Sequence, residues 1–290
     1  MSLRTLNLSA AILHYTLAFG FSLYFINQNK KFGNDPIRGV ELSMRDHNLE
    51  IKDDVIINET VVNWTSSETV NLNLKVVQTL LISFFIVTGT FHLMYFIGGK
   101  EPNNPTITNF YSNAIENKNN YFRWIEYSIT ATIMLYIIAL TSGVKDTNVY
   151  ILLFAISVTM ISLGQSVEVA VRDGKNWFLP MITGFLLLIS AFIVIIRSFR
   201  LRIKEVNKYL EDFPLDNTNN KREKIPSWLN IMIIILFIFY SCFGIVSLVG
   251  AIKHTNYEKV EKAYIILSFV SKAVLASFIA YGTAQWQQIK

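Results

Sequence analysis

The sequence holds a single cysteine, Cys242, set within an apolar run, which excludes an internal disulfide, a CxxC metal site and an iron–sulfur cluster. Charge is scarce too: 16% of the 290 residues are Asp, Glu, Lys or Arg, against roughly one quarter in soluble globular domains. Neither a G-x-S-x-G nor an H-E-x-x-H motif is present, so hydrolysis has no support and the protein is not expected to be an enzyme. The net charge of +5 does not point to nucleic acid, because the basic residues fall in loops between apolar spans. What abounds is hydrophobicity, with 52% apolar residues and a mean hydropathy of +0.37.

Apolar stretches at 6–27, 76–96, 122–144, 148–171, 177–196, 228–252 and 263–285 each have about the twenty residues that a bilayer core requires. They run continuously instead of alternating, and lipid offers backbone groups no partner outside their own helix, so helices and not barrel strands are expected. The first stretch is longer than a signal-peptide core and no small-x-small site follows it, so it is read as helix 1. The fold class is therefore an all-α membrane protein, with residues 1–290 forming one seven-helix transmembrane domain in a lipid bilayer. The polar segment 28–75 contains the turn-formers Gly33-Asn34-Asp35-Pro36 and alternating runs at 54–58 and 60–64, which suit an ordered loop with a small β-hairpin. Segment 98–120 is rich in Asn and Pro, and 197–226 reads as a charged continuation of the fifth helix; neither reads as a domain.

Two signals disagree on orientation. With the N-terminus inside, the inner loops hold 9 of the 26 Lys and Arg, the outer segments 16, and Lys272 lies within a span, so positive-inside counting favours an external N-terminus. Against it, Asn58-Glu59-Thr60 and Asn63-Trp64-Thr65 are glycosylation sequons, usable only on the lumenal or extracellular side.

Ionisable residues inside spans carry the most information, since each costs roughly 2.5–3.5 kcal/mol at a helix centre. Lys272 lies about ten residues from either end of the seventh span, too deep to snorkel comfortably. It needs a partner or a covalent role: either an ion pair in a transport core, or an amine that forms a Schiff base with a carbonyl compound. In the third span Arg123 and Glu126 share a face at i, i+3, with Thr130 one turn further; Glu126 is either the counter-ion of a charged group on Lys272 or half of an Arg–Glu pair at a helix end. His14 and His92 in the first two spans and Glu168 in the fourth complete the set, with Glu168 either a boundary residue beside Arg172 or part of a proton path.

A lysine in the middle of the seventh helix and the run Arg123-Trp124-Ile125-Glu126-Tyr127 resemble the microbial-rhodopsin pattern, and within it the heliorhodopsins. Ser268 four residues before Lys272, where type 1 pumps typically carry aspartate, is similar to that family, as are a single glutamate at 126, the histidines at 14 and 92, and the long 28–75 loop. The resemblance spans all seven stretches. It implies all-trans retinal as cofactor, bound to Lys272 as a Schiff base with Glu126 as counter-ion, a cytoplasmic N-terminus, output through a signalling change of shape, and a homodimer in a plasma or other cellular membrane.

With that frame, Ser268 is expected to hydrogen-bond the imine or counter-ion. Met134, eight residues after Glu126, together with Thr130, Gln165, Phe237 and Tyr240, is expected to border the chromophore. His14, His92, Arg123 and Glu168 are expected to handle protons. A light sensor is favoured over a pump because few carboxylates lie within the spans; a light-gated proton channel or transporter using the same site, and a retinal-free receptor or transporter with an ion-paired Lys272, are the alternatives.

Overall fold

A computed structural model describes residues 1–32, 74–99, 109–212, 228–253 and 256–288. Its elements are α1 (Leu3–Phe32), α2 (Leu74–Ile97), α3 (Phe110–Glu116), α4 (Tyr121–Thr141), α5 (Thr147–Arg172), α6 (Phe178–Asp212), α7 (Trp228–Lys253) and α8 (Tyr257–Gln288). Seven of these eight helices are long and apolar enough to cross a membrane, and no strand occurs among the described residues. The chain is an integral membrane protein of the all-α class. The hairpin expected within 28–75 and both sequons lie outside the described residues.

The long helices form a closed ring in which α1 packs on α2, α2 on α4, and so on round through α5, α6 and α7 to α8, which returns to α1. Large aliphatic and aromatic side chains such as Phe19, Leu179 and Ile234 are exposed on the outside, as hydrocarbon permits. The exception is α4. Of its most apolar window 67% is buried, against 17% for α5 and 22% for α7, so α4 is the most enclosed member of the ring. That placement explains its sequence: Arg123, Glu126, Thr130 and Thr132 are buried where the interior, not lipid, receives them.

Local signals set the helix ends. The Asn120 side chain accepts from the Arg123 backbone N–H and starts α4, Asp146 does the same for Asn148 and starts α5, and Gly143, at φ +81°, turns the chain between them. The helices outrun the expected spans. The seventh begins at Tyr257 instead of 263, taking Glu258 and Glu261 into its first turns, and the fifth continues beyond 196 to Asp212 as the charged continuation foreseen. Segment 98–120, read as lacking a domain, contains the short α3.

Candidate functional site

The middle of the bundle is built around Lys272. Its side chain is 3% exposed, its Nζ donates to Ser268 Oγ at 2.6 Å one helical turn earlier, and Glu126 Oε1 on α4 lies 3.7 Å away. Glu126 is 1% exposed and Ser268 fully buried. Two opposite charges buried this deeply lose several kcal/mol of hydration each, and their closeness is what offsets the loss.

From Nζ an apolar cavity runs between α4, α5, α6, α7 and α8. The space open to the centre of a water-sized sphere is about 100 Å³, several times what one water needs. Thr130, Met134 and Tyr240 line it, with Tyr127, Met160 and Phe185. Two glycines let its walls close: a Cβ at Gly164 would stand 2.6 Å from the Trp124 ring, and one at Gly244 2.6 Å from Phe185. The Tyr240 hydroxyl is turned out of the way, donating to the Ala131 carbonyl at 2.6 Å. Phe237 and Gln165, expected along the same pocket, are not among its lining residues: Phe237 packs edge-on against Phe192 at 5.1 Å in the hydrophobic core, and Gln165 is half-buried beside the Gly164 that does line it.

The other side of Lys272 is polar. His14 and His92 stack with ring centroids 5.5 Å apart. His14 Nδ1 meets the Ala10 carbonyl at 2.7 Å and His92 Nδ1 meets Asn7 Oδ1 at 2.8 Å. Asn7 Nδ2 donates to the Leu3 carbonyl, which orients the amide so that its oxygen faces His92. Both Nδ1 atoms therefore carry hydrogen in the neutral rings, and both Nε2 atoms present lone pairs. Neither Nε2 has a hydrogen-bond partner among the described residues, and the same holds for Thr88 Oγ1, Tyr95 Oη, Arg123 Nε and Glu126 Oε1. A buried polar group left so costs about 1–3 kcal/mol. Buried polar groups on α1, α2 and α4 thus make this side of Lys272 polar, with Glu126 Oε1 held only by its ion pair with Lys272.

Arg123 does not pair with Glu126, although the two share a face. Its guanidinium turns to the bundle end, where it binds Glu168 of α5 at 2.6 Å and Glu261 of α8, and lies over the Tyr264 ring. Glu168 is correspondingly no partner of Arg172, which binds Asp173 at 2.7 Å. Glu168 also accepts from Trp124 Nε1 at 2.5 Å and from the Tyr257 hydroxyl; Glu261 accepts from Asn120 Nδ2 at 2.6 Å and from the Tyr111 hydroxyl at 3.4 Å. The alternative of an Arg123–Glu126 pair at a helix end is thereby removed: the Arg123 side chain is 3% exposed because two carboxylates from other helices enclose it.

The sequence reading overlooked Glu261, placed in a loop ahead of the seventh span. The signal was there: Glu261, Ser268 and Lys272 recur at i, i+7 and i+11 and so occupy one face of a helix. Thr88, His92 and Tyr95 likewise form an i, i+4, i+7 stripe on α2, of which only the histidine had been singled out.

The sequence matches the heliorhodopsin family model over residues 3–284, nearly the whole chain. The chain belongs to the heliorhodopsin family. It is accordingly a retinal-binding photoreceptor of the microbial-rhodopsin kind, and the resemblance drawn from its helix motifs agrees. The residues present fit a retinal group, since an apolar cavity has the Lys272 amine among its lining residues. Comparison with curated proteins found no match.

Proposed function

We propose that Lys272 carries all-trans retinal, that Glu126 is its counter-ion, and that light drives proton release from the Lys272 nitrogen and a signalling change of shape. The observation that carries this reading is an interior amine with an apolar cavity on one side and a single carboxylate at 3.7 Å on the other. Retinal, when bound, supplies an aldehyde that condenses with the amine, losing water to form a Schiff base, and a polyene whose double bond isomerises on absorbing light.

The protein's own groups do the rest. Glu126 holds the negative charge that keeps a proton on Nζ, and Ser268 Oγ accepts from it and fixes its direction. Thr130, Met134 and Tyr240 shape the slot and exclude water, while Gln165 and Phe237 act from just outside it. The outward-facing lone pairs at Nε2 of His14 and His92 are ready to take the proton once Nζ gives it up. Arg123 and Glu168 hold charge at the bundle end. The protein works as a homodimer, with its N-terminus in the cytoplasm, in a plasma or other cellular membrane.

The test is an absorption spectrum of protein expressed with all-trans retinal, alongside Lys272→Ala. A visible band in the wild type that the substitution abolishes is expected; a well-folded wild type without a band would overturn the proposal. The line of unpaired polar atoms on α1, α2 and α4 also favours a second reading, a light-gated proton channel. Its photocurrent would reverse near the proton equilibrium potential, whereas a sensor gives none.

A further inference from the structure

The buried polar side chains beside Lys272 continue along α2 toward the bundle end that holds Arg123. Along α2, Thr88, His92 and Tyr95 present three buried polar side chains on one face, spanning about two turns toward the C-terminal end of the helix. Tyr95 sits where two sets of groups meet. Its ring stands edge-on to His92 at 5.8 Å and stacks on Tyr111 of α3 at 4.8 Å. Its hydroxyl is buried and has no hydrogen-bond partner among the described residues. Tyr111, in turn, donates to Glu261.

Beyond Tyr95 the surroundings change from neutral acceptors to charges. Two carboxylates, Glu168 and Glu261, share one guanidinium, so this cluster carries one negative charge more than positive. A cleft between α4, α5, α7 and α8 reaches it from the bundle end, lined by Arg123, Glu168, Tyr257, Arg172 and Lys118. The groups facing Glu261 are thus Tyr111 from α3, Asn120 and Arg123 at the start of α4, and Glu168 from α5, whose other phenol partner is Tyr257.

We propose that Tyr95 is the relay residue of a proton path that joins Glu126 and the His14–His92 pair to Glu261, with the Arg123–Glu168–Glu261 cluster as its terminus. The proposal rests on the retinal reading above. A hydroxyl relays without net change. Its O–H bond breaks toward Glu261 as a new O–H bond forms with a proton arriving from the His92 side, so the phenol is restored and Glu261 becomes the carboxylic acid. The unpartnered Nε2 atoms of His14 and His92 and the Tyr95 hydroxyl are the polar groups that bridging water would join along the path. Arg123 is a positioning residue here: it holds both carboxylates at the end of the path.

The experiment is time-resolved visible and infrared difference spectroscopy on retinal-loaded full-length protein, comparing wild type with Tyr95→Phe and Glu261→Gln. Tyr95→Phe removes only the hydroxyl and keeps both ring contacts, and an intact visible band shows that it has folded. A light-induced carboxylic-acid band that Glu261→Gln removes is expected in the wild type. Tyr95→Phe is expected to delay that band at least tenfold and to reduce the slowing of its rise in heavy water. A band that Glu261→Gln leaves in place, or a Tyr95→Phe time course equal to wild type, overturns the relay and leaves the retinal reading standing. Absence of the visible band from folded wild type overturns both.

Discussion

At the scale of single residues, the proposed retinal site makes the distance between Lys272 and Glu126 the determinant of colour. A carboxylate 3.7 Å from a protonated nitrogen stabilises positive charge at that end of the polyene and so raises the excitation energy. Glu126→Gln is expected to move the visible band to longer wavelength by tens of nanometres. Acidification that protonates Glu126 produces the same shift in the wild type, and Glu126→Gln is expected to be insensitive to it; titration of both proteins in the spectrophotometer checks this, and an acid-induced red shift persisting in Glu126→Gln would remove Glu126 as the counter-ion. Lys272, Glu126 and the two histidines were legible in the sequence because an ionisable residue deep in an apolar run is costly wherever the neighbouring helices lie. Tyr95 was not, since a tyrosine in a membrane helix is ordinary and only its place between His92 and Tyr111 sets it apart.

At the scale of elements, α4 owes its position to charges that no local pattern reveals. The i, i+3 spacing of Arg123 and Glu126 gave them a shared face, yet the arginine's partners come from α5 and α8, 45 and 138 residues away in sequence. Spacing along one helix states which groups could meet, while the packing of other helices decides which do. The spans themselves were readable because continuous apolar runs admit one solution in lipid, whereas the ends of α6 and α8 were not, because there polar residues extend the helix once they find partners or water. The Arg123 cluster should hold α4, α5 and α8 together. Arg123→Gln strands two buried carboxylates and is expected to cost about 3–5 kcal/mol, read as a marked fall in melting temperature in detergent. Glu261→Gln leaves a one-to-one Arg123–Glu168 pair and is expected to cost much less, and combining it with Arg123→Gln should recover part of the loss. Additive effects in this cycle would mean that the three charges do not act as a unit.

At the scale of the whole molecule, the open matter is which way the bundle faces. The N-terminus of α1, the short α3, the start of α4 and the Arg123 cluster all belong to one end, while the basic stretch of α6 belongs to the other. Should the N-terminus be cytoplasmic, Asn58 and Asn63 are exposed to the glycosylation machinery of a eukaryotic host. Expression there is expected to give a product whose mobility on a gel increases on deglycosylation and in Asn58→Gln/Asn63→Gln. An unmodified product, together with modification of a sequon placed at the Arg123 end, would reverse the assignment. The relay to Glu261 would then discharge on the opposite side of the membrane.

The length of α6 has a mechanical consequence. At 35 residues it measures about 52 Å, against about 30 Å of hydrocarbon, so its C-terminal part extends past the bilayer. The helix also forms one wall of the cavity, through Gly184 and Phe185 near its start. From Gly184 to its end the lever arm is about 42 Å. A tilt of only about 5° at that fulcrum sweeps the far tip through nearly 4 Å, which is enough to exchange one set of surface contacts for another. A change of shape too small to rearrange the ring of helices is thus enlarged at a tip that a soluble partner could feel.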